Sequence, residues 1–287
     1  MTSPSRRKPG RHGRRDGRRD RDPRRQMSPR MRQLASAISK QREKEPDALA
    51  PASKIQFSIL PEKIPNIPNY DMKVFYQPAM ELGGDFYDFI AIDRENLGIV
   101  IADVSGKGVP GAMIMTMARA VIRLLALRNP NAAETIINAN RFISRDIKNV
   151  MFLTILYMVL NVRTRELQVV NAGHNPLILF RDDSYRLINP SGIAVGFDLG
   201  PIFDKKLKDD VIQIKKGDRI LVYTDGVVEA MSEDGEEFGE ERFLDIVMNH
   251  GSKRSGEFIN VLVNALTEHQ GEAEQHDDIT ILTFMHT

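Results

Sequence analysis

Apolar positions along this chain fall into runs bounded by glycine, proline and acidic residues, and the runs are of two kinds. Segments 73–77, 86–92, 97–103, 152–161, 166–171, 176–180, 185–187, 220–223 and 279–284 are short and rich in β-branched or aromatic side chains, as strands are. Longer stretches at 111–127, 240–249 and 256–269 carry the apolar spacing of helices. Pro110 suits the first turn of the helix at 111–127. Asn131, with Glu134 three residues on, has the form of a capping box and starts a further helix with Ile136, Ile143 and Ile147 on its buried stripe. Met113, Met115 and Met117 read as core filler. Strands come in runs and do not alternate one-for-one with helices, which predicts an α+β fold with mainly antiparallel sheets.

The N-terminal part reads differently. Residues 1–30 form a low-complexity basic arm, with twelve Lys/Arg against three Asp. The rest of the chain carries 28 Lys/Arg against 36 Asp/Glu, so a net charge of +1 hides a basic arm ahead of an acidic body. The arm has the composition of a solvated, disordered tail. It also has the charge to dock on an anionic partner such as nucleic acid, lipid or an acidic protein surface. It has no aromatic residue to stack on bases, which argues against sequence reading. Met31, Leu34 and Ile38 recur at helical spacing, predicting a short amphipathic helix at 31–43 that packs on the body or pairs with another copy as a homodimer. Glu45-Pro46-Asp47 is expected to break it, and the apolar stretch at 55–61 then leads through Pro65 and Pro68 as an extended approach to the main domain. The organisation is thus an arm at 1–30, a helical linker or regulatory segment at 31–60, and a catalytic body at 61–287. The 287 residues include no cysteine, which excludes disulfides and thiolate chemistry and suits the cytoplasm. Runs such as 156–160 and 118–127 are too short or too charged for a transmembrane segment, and no apolar signal segment follows the basic start.

Four aspartates change the picture most: Asp85, Asp103, Asp225 and Asp277. Each stands at one end of a strand-like run beside glycine or another small or polar residue. Singly, each could be a turn former or a helix cap. Together, such ends can converge at one sheet edge, where carboxylates repel unless cations lie between them. Oxygen ligands without thiolates point to Mg²⁺ or Mn²⁺, and so to a two-metal hydrolytic site.

Five motifs occur in order: Gly83-Gly84-Asp85-Phe86-Tyr87-Asp88, Asp103-Val104-Ser105-Gly106-Lys107-Gly108-Val109-Pro110, Asn171-Ala172-Gly173-His174-Asn175-Pro176, Tyr223-Thr224-Asp225-Gly226-Val227 and Asp277-Asp278-Ile279-Thr280. They resemble the PPM/PP2C-type serine/threonine phosphatases, in their bacterial SpoIIE/RsbU-like branch, from about residue 55 to residue 284. The resemblance implies a sandwich of two mainly antiparallel sheets flanked by helices, with two divalent cations, Mn²⁺ or Mg²⁺, held by Asp85, Asp103, Asp225 and Asp277. Asp103 would bridge the ions, and the Val104 carbonyl would add a backbone ligand. Asp88, His174, Asp278 and Lys107 are candidate supporting residues: Asp88 reads equally as a turn or capping residue, His174 as a turn residue bonding the site, and Asp278 as the lesser candidate ligand beside Asp277. Ser105 stands where eukaryotic-type members carry a histidine, and their upstream phosphate-binding arginine has no secure counterpart here.

The implied reaction is hydrolysis of phosphoserine or phosphothreonine on a signalling protein by a metal-activated water. The branch suggests a STAS-type anti-sigma-factor antagonist as substrate. Segment 31–60 would act on the helix near 111–127 and through it on metal occupancy. Two other readings use the same residues: a phosphatase fold that binds a phosphoprotein without cleaving it, and a scaffold tethered by the basic arm.

Overall fold

Most strand positions of this chain are buried on both faces, because two sheets stack against each other and helices cover the outside. A computed structural model describes residues 46–129, 131–147 and 151–287. The expected basic arm and the helix expected at 31–43 lie outside these. Residues Leu49–Thr287 form one compact unit.

One sheet contains β1 (Tyr70–Gln77), β6 (Leu177–Arg181), β7 (Ser184–Ile188), β9 (Arg219–Tyr223) and β10 (Ile279–His286), in the order β1-β10-β9-β6-β7. The other contains β2 (Phe86–Ala91), β3 (Asn96–Val104), β4 (Leu153–Asn161), β5 (Glu166–Ala172) and β8 (Asp209–Gln213), in the order β2-β3-β4-β5-β8. All pairings are antiparallel. The helices are α1 (Pro46–Ile59), α2 (Gly108–Ala126), α3 (Ala132–Ile147), α4 (Pro201–Lys206), α5 (Gly239–His250) and α6 (Ser255–Gln270).

Three apolar layers follow from the alternation of side chains across each strand. Between the sheets, Ile99, Ile101, Leu156 and Met158 meet Leu179, Ile220, Val222 and Phe284. On one outer face, Val100, Ala102 and Tyr157 pack with Met115, Ile122, Ile136 and Ile143 of α2 and α3. On the other, Ile178, Leu221 and Ile281 pack with Phe243, Val247, Phe258 and Leu262 of α5 and α6. This double coverage is why β9 is buried at every position and reads as an uninterrupted apolar run.

The expected α+β sandwich is therefore present, with local differences. Residues 46–59 are helical, so the apolar stretch at 55–59 is helix where an extended approach was expected; the helix expected to end at Glu45-Pro46-Asp47 lies outside the described residues. A proline in a first helical turn loses no hydrogen bond, so Pro46 opens a helix as readily as it ends one. Strand β8 gave no sequence signal because it is an edge strand with Ile212 as its one buried residue. The capping box is half formed: Asn131 Oδ1 accepts the Glu134 N–H at 2.8 Å, while the Glu134 carboxylate takes the Asn129 amide. Met115 is core and Met117 is half-buried, but Met113 points to solvent and fills no core.

Helix α2 is the one described helix long and apolar enough to cross a membrane by length and composition alone, where the sequence had suggested none. Its polar positions argue for a core helix. Arg119 Nη2 and Arg123 Nη1 reach Asp88 Oδ2 at 3.0 and 2.8 Å, and Arg123 also binds Oδ1 at 2.9 Å. Asp88 is 1% exposed, so these ion pairs rivet α2 onto β2 three residues beyond Asp85. Breaking a buried ion pair on one side leaves uncompensated charge and typically costs about 3–5 kcal/mol. Asp88→Ala is accordingly expected to lower the unfolding free energy by about 3 kcal/mol in urea titrations.

Candidate functional site

Antiparallel register carries the four aspartates to one edge. Phe86 pairs with Ala102, so Asp85, just before β2, stands across from Asp103 near the end of β3. In the other sheet Tyr223 pairs with Ile281, and the Thr224 N–H donates to the Thr280 carbonyl at 3.0 Å. Asp225, which opens a 3₁₀ turn after β9, thus lies beside the Asp277-Asp278 pair that precedes β10. Two hydrogen-bonded strand pairs, one per sheet, contribute the acidic residues.

The two sheets are fastened to each other at this edge. Thr280 Oγ1 donates to Asp85 Oδ2 at 2.6 Å. Asp278 uses both carboxylate oxygens on the opposite segment. Its Oδ2 accepts the N–H groups of Gly84 and Asp85 at 2.6 and 3.1 Å, and its Oδ1 accepts that of Ala79 at 2.8 Å. Gln56 of α1, buried, grips Gly83 from the other side, donating to its carbonyl at 2.7 Å and accepting its N–H at 3.1 Å. Backbones also approach too closely for side chains. A Cβ on Gly226 would strike the Asp278 carbonyl, and one on Gly111 would strike that of Gly106.

Burial and like charge act together here. The Asp85 carboxyl is held well above the usual carboxylate range, first by burial and then by Asp103 and Asp278. Asp103 is pushed up to about 7 by burial and by Asp225 and Asp277. Asp225 is raised by burial and by Asp277, with Lys107 pulling the other way. Lys107 Nζ pairs with Asp277 Oδ2 at 2.9 Å and also donates to the His276 carbonyl.

Asp103, Thr154, Gly173, His174, Asn175 and Asp225 line a small cavity of about 50 Å³. Thr154 is the register partner of Asp103, and its Oγ1 bonds His174 Nδ1 at 2.8 Å. His174 Nε2 is buried without a hydrogen-bond partner among the described residues, although the Tyr223 carbonyl lies near enough to favour the protonated ring. Burial dominates and pulls His174 down to about 4, so the imidazole is neutral near pH 7. The imidazole lies between a β4 side chain and the end of β9. Ser105 is not free to act on a substrate proton: its hydroxyl donates to the Phe152 carbonyl and accepts the Phe152 N–H, both at 2.8 Å. A larger open depression of about 600 Å³, lined by Met231, Glu233, Glu272 and His276, touches the acidic edge through His276.

The structure thus brings Asp85, Asp103, Asp225, Asp277, Asp278, Lys107 and His174 to one edge, and sets Asp88 behind it against α2. Sequence reading missed Gln56, Thr280, Arg119 and Arg123. Thr280 was inside a quoted motif, and the two arginines share a helix face at i, i+4. Gln56 gave no signal, because its partner is backbone 27 residues away. An all-oxygen, negatively charged donor set suits a hard divalent cation. As the side chains stand, no three carboxylates or histidines among the described residues surround one point closely enough to hold an ion. Lys107, Thr280 and backbone N–H groups take up carboxylate oxygens instead.

Solved structures with this architecture include a PP2C domain. The SiaA-PP2C domain of Pseudomonas aeruginosa aligns with a TM-score of 0.76 at 26% identity, covering 85% of this chain and 98% of that one. The RsbU and RsbW domains of Rv1364c from Mycobacterium tuberculosis align at 0.64 and 26% identity, covering 77% and 61%. The fold is that of the PP2C-type serine/threonine protein phosphatases, and the chain is an enzyme of that class. Residues 93–287 match the family model described as Stage II sporulation protein E (SpoIIE), and the chain belongs to that family. The phosphoserine phosphatase RsbU of Bacillus subtilis (strain 168) is 28% identical over 234 residues, which span 80% of this chain and 68% of the relative. The chain spans 40% and 54% of two further curated relatives.

The raised carboxyls carry a testable consequence. A folded-state pKa above the unfolded value means that the native protein holds a proton the unfolded chain releases. Stability from Asp103 is therefore present below pH 4 and lost as pH rises toward 7. In EDTA, Asp103→Asn should gain on wild type by about 2–3 kcal/mol between pH 4 and 8, measured as the difference in urea unfolding free energy.

Proposed function

We propose that Asp85, Asp103, Asp225 and Asp277, with the Val104 carbonyl, hold two divalent cations, Mg²⁺ or Mn²⁺, for hydrolysis of phosphoserine or phosphothreonine on a signalling protein. The observation that carries this reading is the gathering, from four chain segments, of carboxylates that raise one another's proton affinity at the edge between two sheets. Membership of a family whose PP2C-type fold generally uses divalent metals supports it. When bound, such ions make a water acidic enough to ionise near neutral pH and neutralise phosphoryl oxygens.

The remaining work falls to the chain. Asp278 spends its charge on the Gly84, Asp85 and Ala79 N–H groups and so fixes where Asp85 stands. Thr280 orients the Asp85 carboxylate by donating to one of its oxygens. Thr154 and the neutral His174 wall the cavity beside Asp103 and hold the shape of that part of the edge. Asp88 holds the strand behind Asp85 through α2.

RsbU carries the name phosphoserine phosphatase, and we assign this chain the corresponding chemistry on a phosphorylated STAS-type anti-sigma-factor antagonist. The absence of cysteine suits a reducing compartment, and we place the reaction in the cytoplasm. A generic phosphate ester is expected to be hydrolysed with Mn²⁺ and not with EDTA. Asp225→Asn should reduce turnover at least about 100-fold. Mn²⁺-dependent release of phosphate from a phosphorylated STAS protein, measured in the same assay, tests the substrate. An inactive wild type that still binds the phosphoprotein would favour the binding-only reading.

A further inference from the structure

The cation at the acidic edge is a side chain of this protein, and its position has no local reason. Lys107 immediately precedes α2, between Gly106 at φ 140° and Gly108 at φ 68°. A helix N-terminus is the positive end of the helix dipole, so a lysine there gains nothing from its own helix. Yet its ammonium reaches across to β10, contacting the Asp277 carboxylate at 2.9 Å and the carbonyl of the preceding residue, His276. Two acceptors on consecutive residues make this a placed contact.

A second observation concerns what the lysine replaces. Among the described residues, no three acidic side chains surround a common point, although four aspartates stand at one edge. Asp277 is the member of that set whose oxygens are both engaged locally: Oδ2 with Lys107, and Oδ1 with its neighbour's N–H at 2.9 Å. The pair is also weak enough to open, because the Lys107 and Asp277 side chains are 46% and 32% exposed and ion pairs of that exposure contribute little.

We propose that Lys107 is a tethered counter-cation that holds Asp277 while the site lacks metal, and that a divalent ion must displace its ammonium to recruit Asp277. The inference rests on the reading of Asp277 as a metal ligand. Lys107 then acts as a positioning residue that sets the metal threshold of the enzyme: it keeps the edge neutralised at low metal and gives way as metal rises. No bond is made or broken, since one cation exchanges for another on the same carboxylate.

The test is direct Mn²⁺ binding to the full chain, by calorimetry and by the electron paramagnetic resonance signal of free Mn²⁺, without any substrate. Wild type, Lys107→Met, Lys107→Arg, Asp277→Asn and the Met/Asn double variant are compared, with circular dichroism to verify folding. Lys107→Met is expected to bind Mn²⁺ about threefold to tenfold more tightly. Lys107→Arg, which keeps the charge, should stay near wild type. In the Asp277→Asn background the lysine substitution should change affinity less than about twofold, because the carboxylate for which the cations compete is gone. Unchanged or weaker binding by Lys107→Met overturns the proposal. So does an equal gain in the Asp277→Asn background, which would mark a diffuse field effect. Mn²⁺ binding without any lysine effect sinks this inference alone, whereas no binding by any of the five proteins sinks the metal reading as well.

Discussion

Like charges brought to one sheet edge repel, and most of what is distinctive in this structure serves to contain that repulsion. Antiparallel pairing makes the convergence unavoidable, since the strand entering the edge and the strand leaving it deliver their end residues side by side. The containment is divided. Asp278 spends its charge on three backbone N–H groups, Asp85 takes a threonine hydroxyl, Asp277 meets Lys107, and Asp103 retains a proton up to about pH 7. Removing any one contribution loads the others. The same contacts join the two sheets, so electrostatics and architecture at this edge cannot be separated.

The neighbouring aspartates Asp277 and Asp278 show how unequal adjacent carboxylates can be. Asp278 is 7% exposed and committed to backbone of the other sheet, a structural anchor. Asp277 is partly exposed at the edge, and its charged partner is the Lys107 ammonium. A single step along the chain changes the role because side chains at a strand start alternate in direction. Asp85 and Asp88 differ in the same way: one faces the edge and the other is sealed against α2 by two arginines.

Much of this was legible in the sequence, and for identifiable reasons. Strands such as β9 and β4 announce themselves because burial on both faces demands unbroken apolar runs, and α3 does so because one buried stripe demands a helical period. Aspartates at strand ends beside glycine were legible because that combination is costly without a use. The rest depended on tertiary partners. Helix α1 was hidden by Pro46, which has the same sequence appearance at a helix start as at a break. Strand β8 has nearly no apolar face to display. Asp88 read equally as a turn residue and as a supporting group until Arg119 and Arg123, more than 30 residues later, were brought to it. Gln56 and Asp278 act on backbone atoms, which carry no side-chain signature at all.

Gly111 and Gly226 mark where backbone meets backbone, each against a carbonyl that leaves no room for a single added carbon. Side-chain clashes can be relieved by a second substitution in the neighbour, but a carbonyl has no smaller replacement. A side chain at either point could be accommodated only by moving the backbone, not by a smaller neighbouring side chain. What leaves room for change at this edge is the set of side chains that partner the carboxylates, such as Lys107 and Thr280. The chemistry can be retuned, but the frame that presents it is inherited whole.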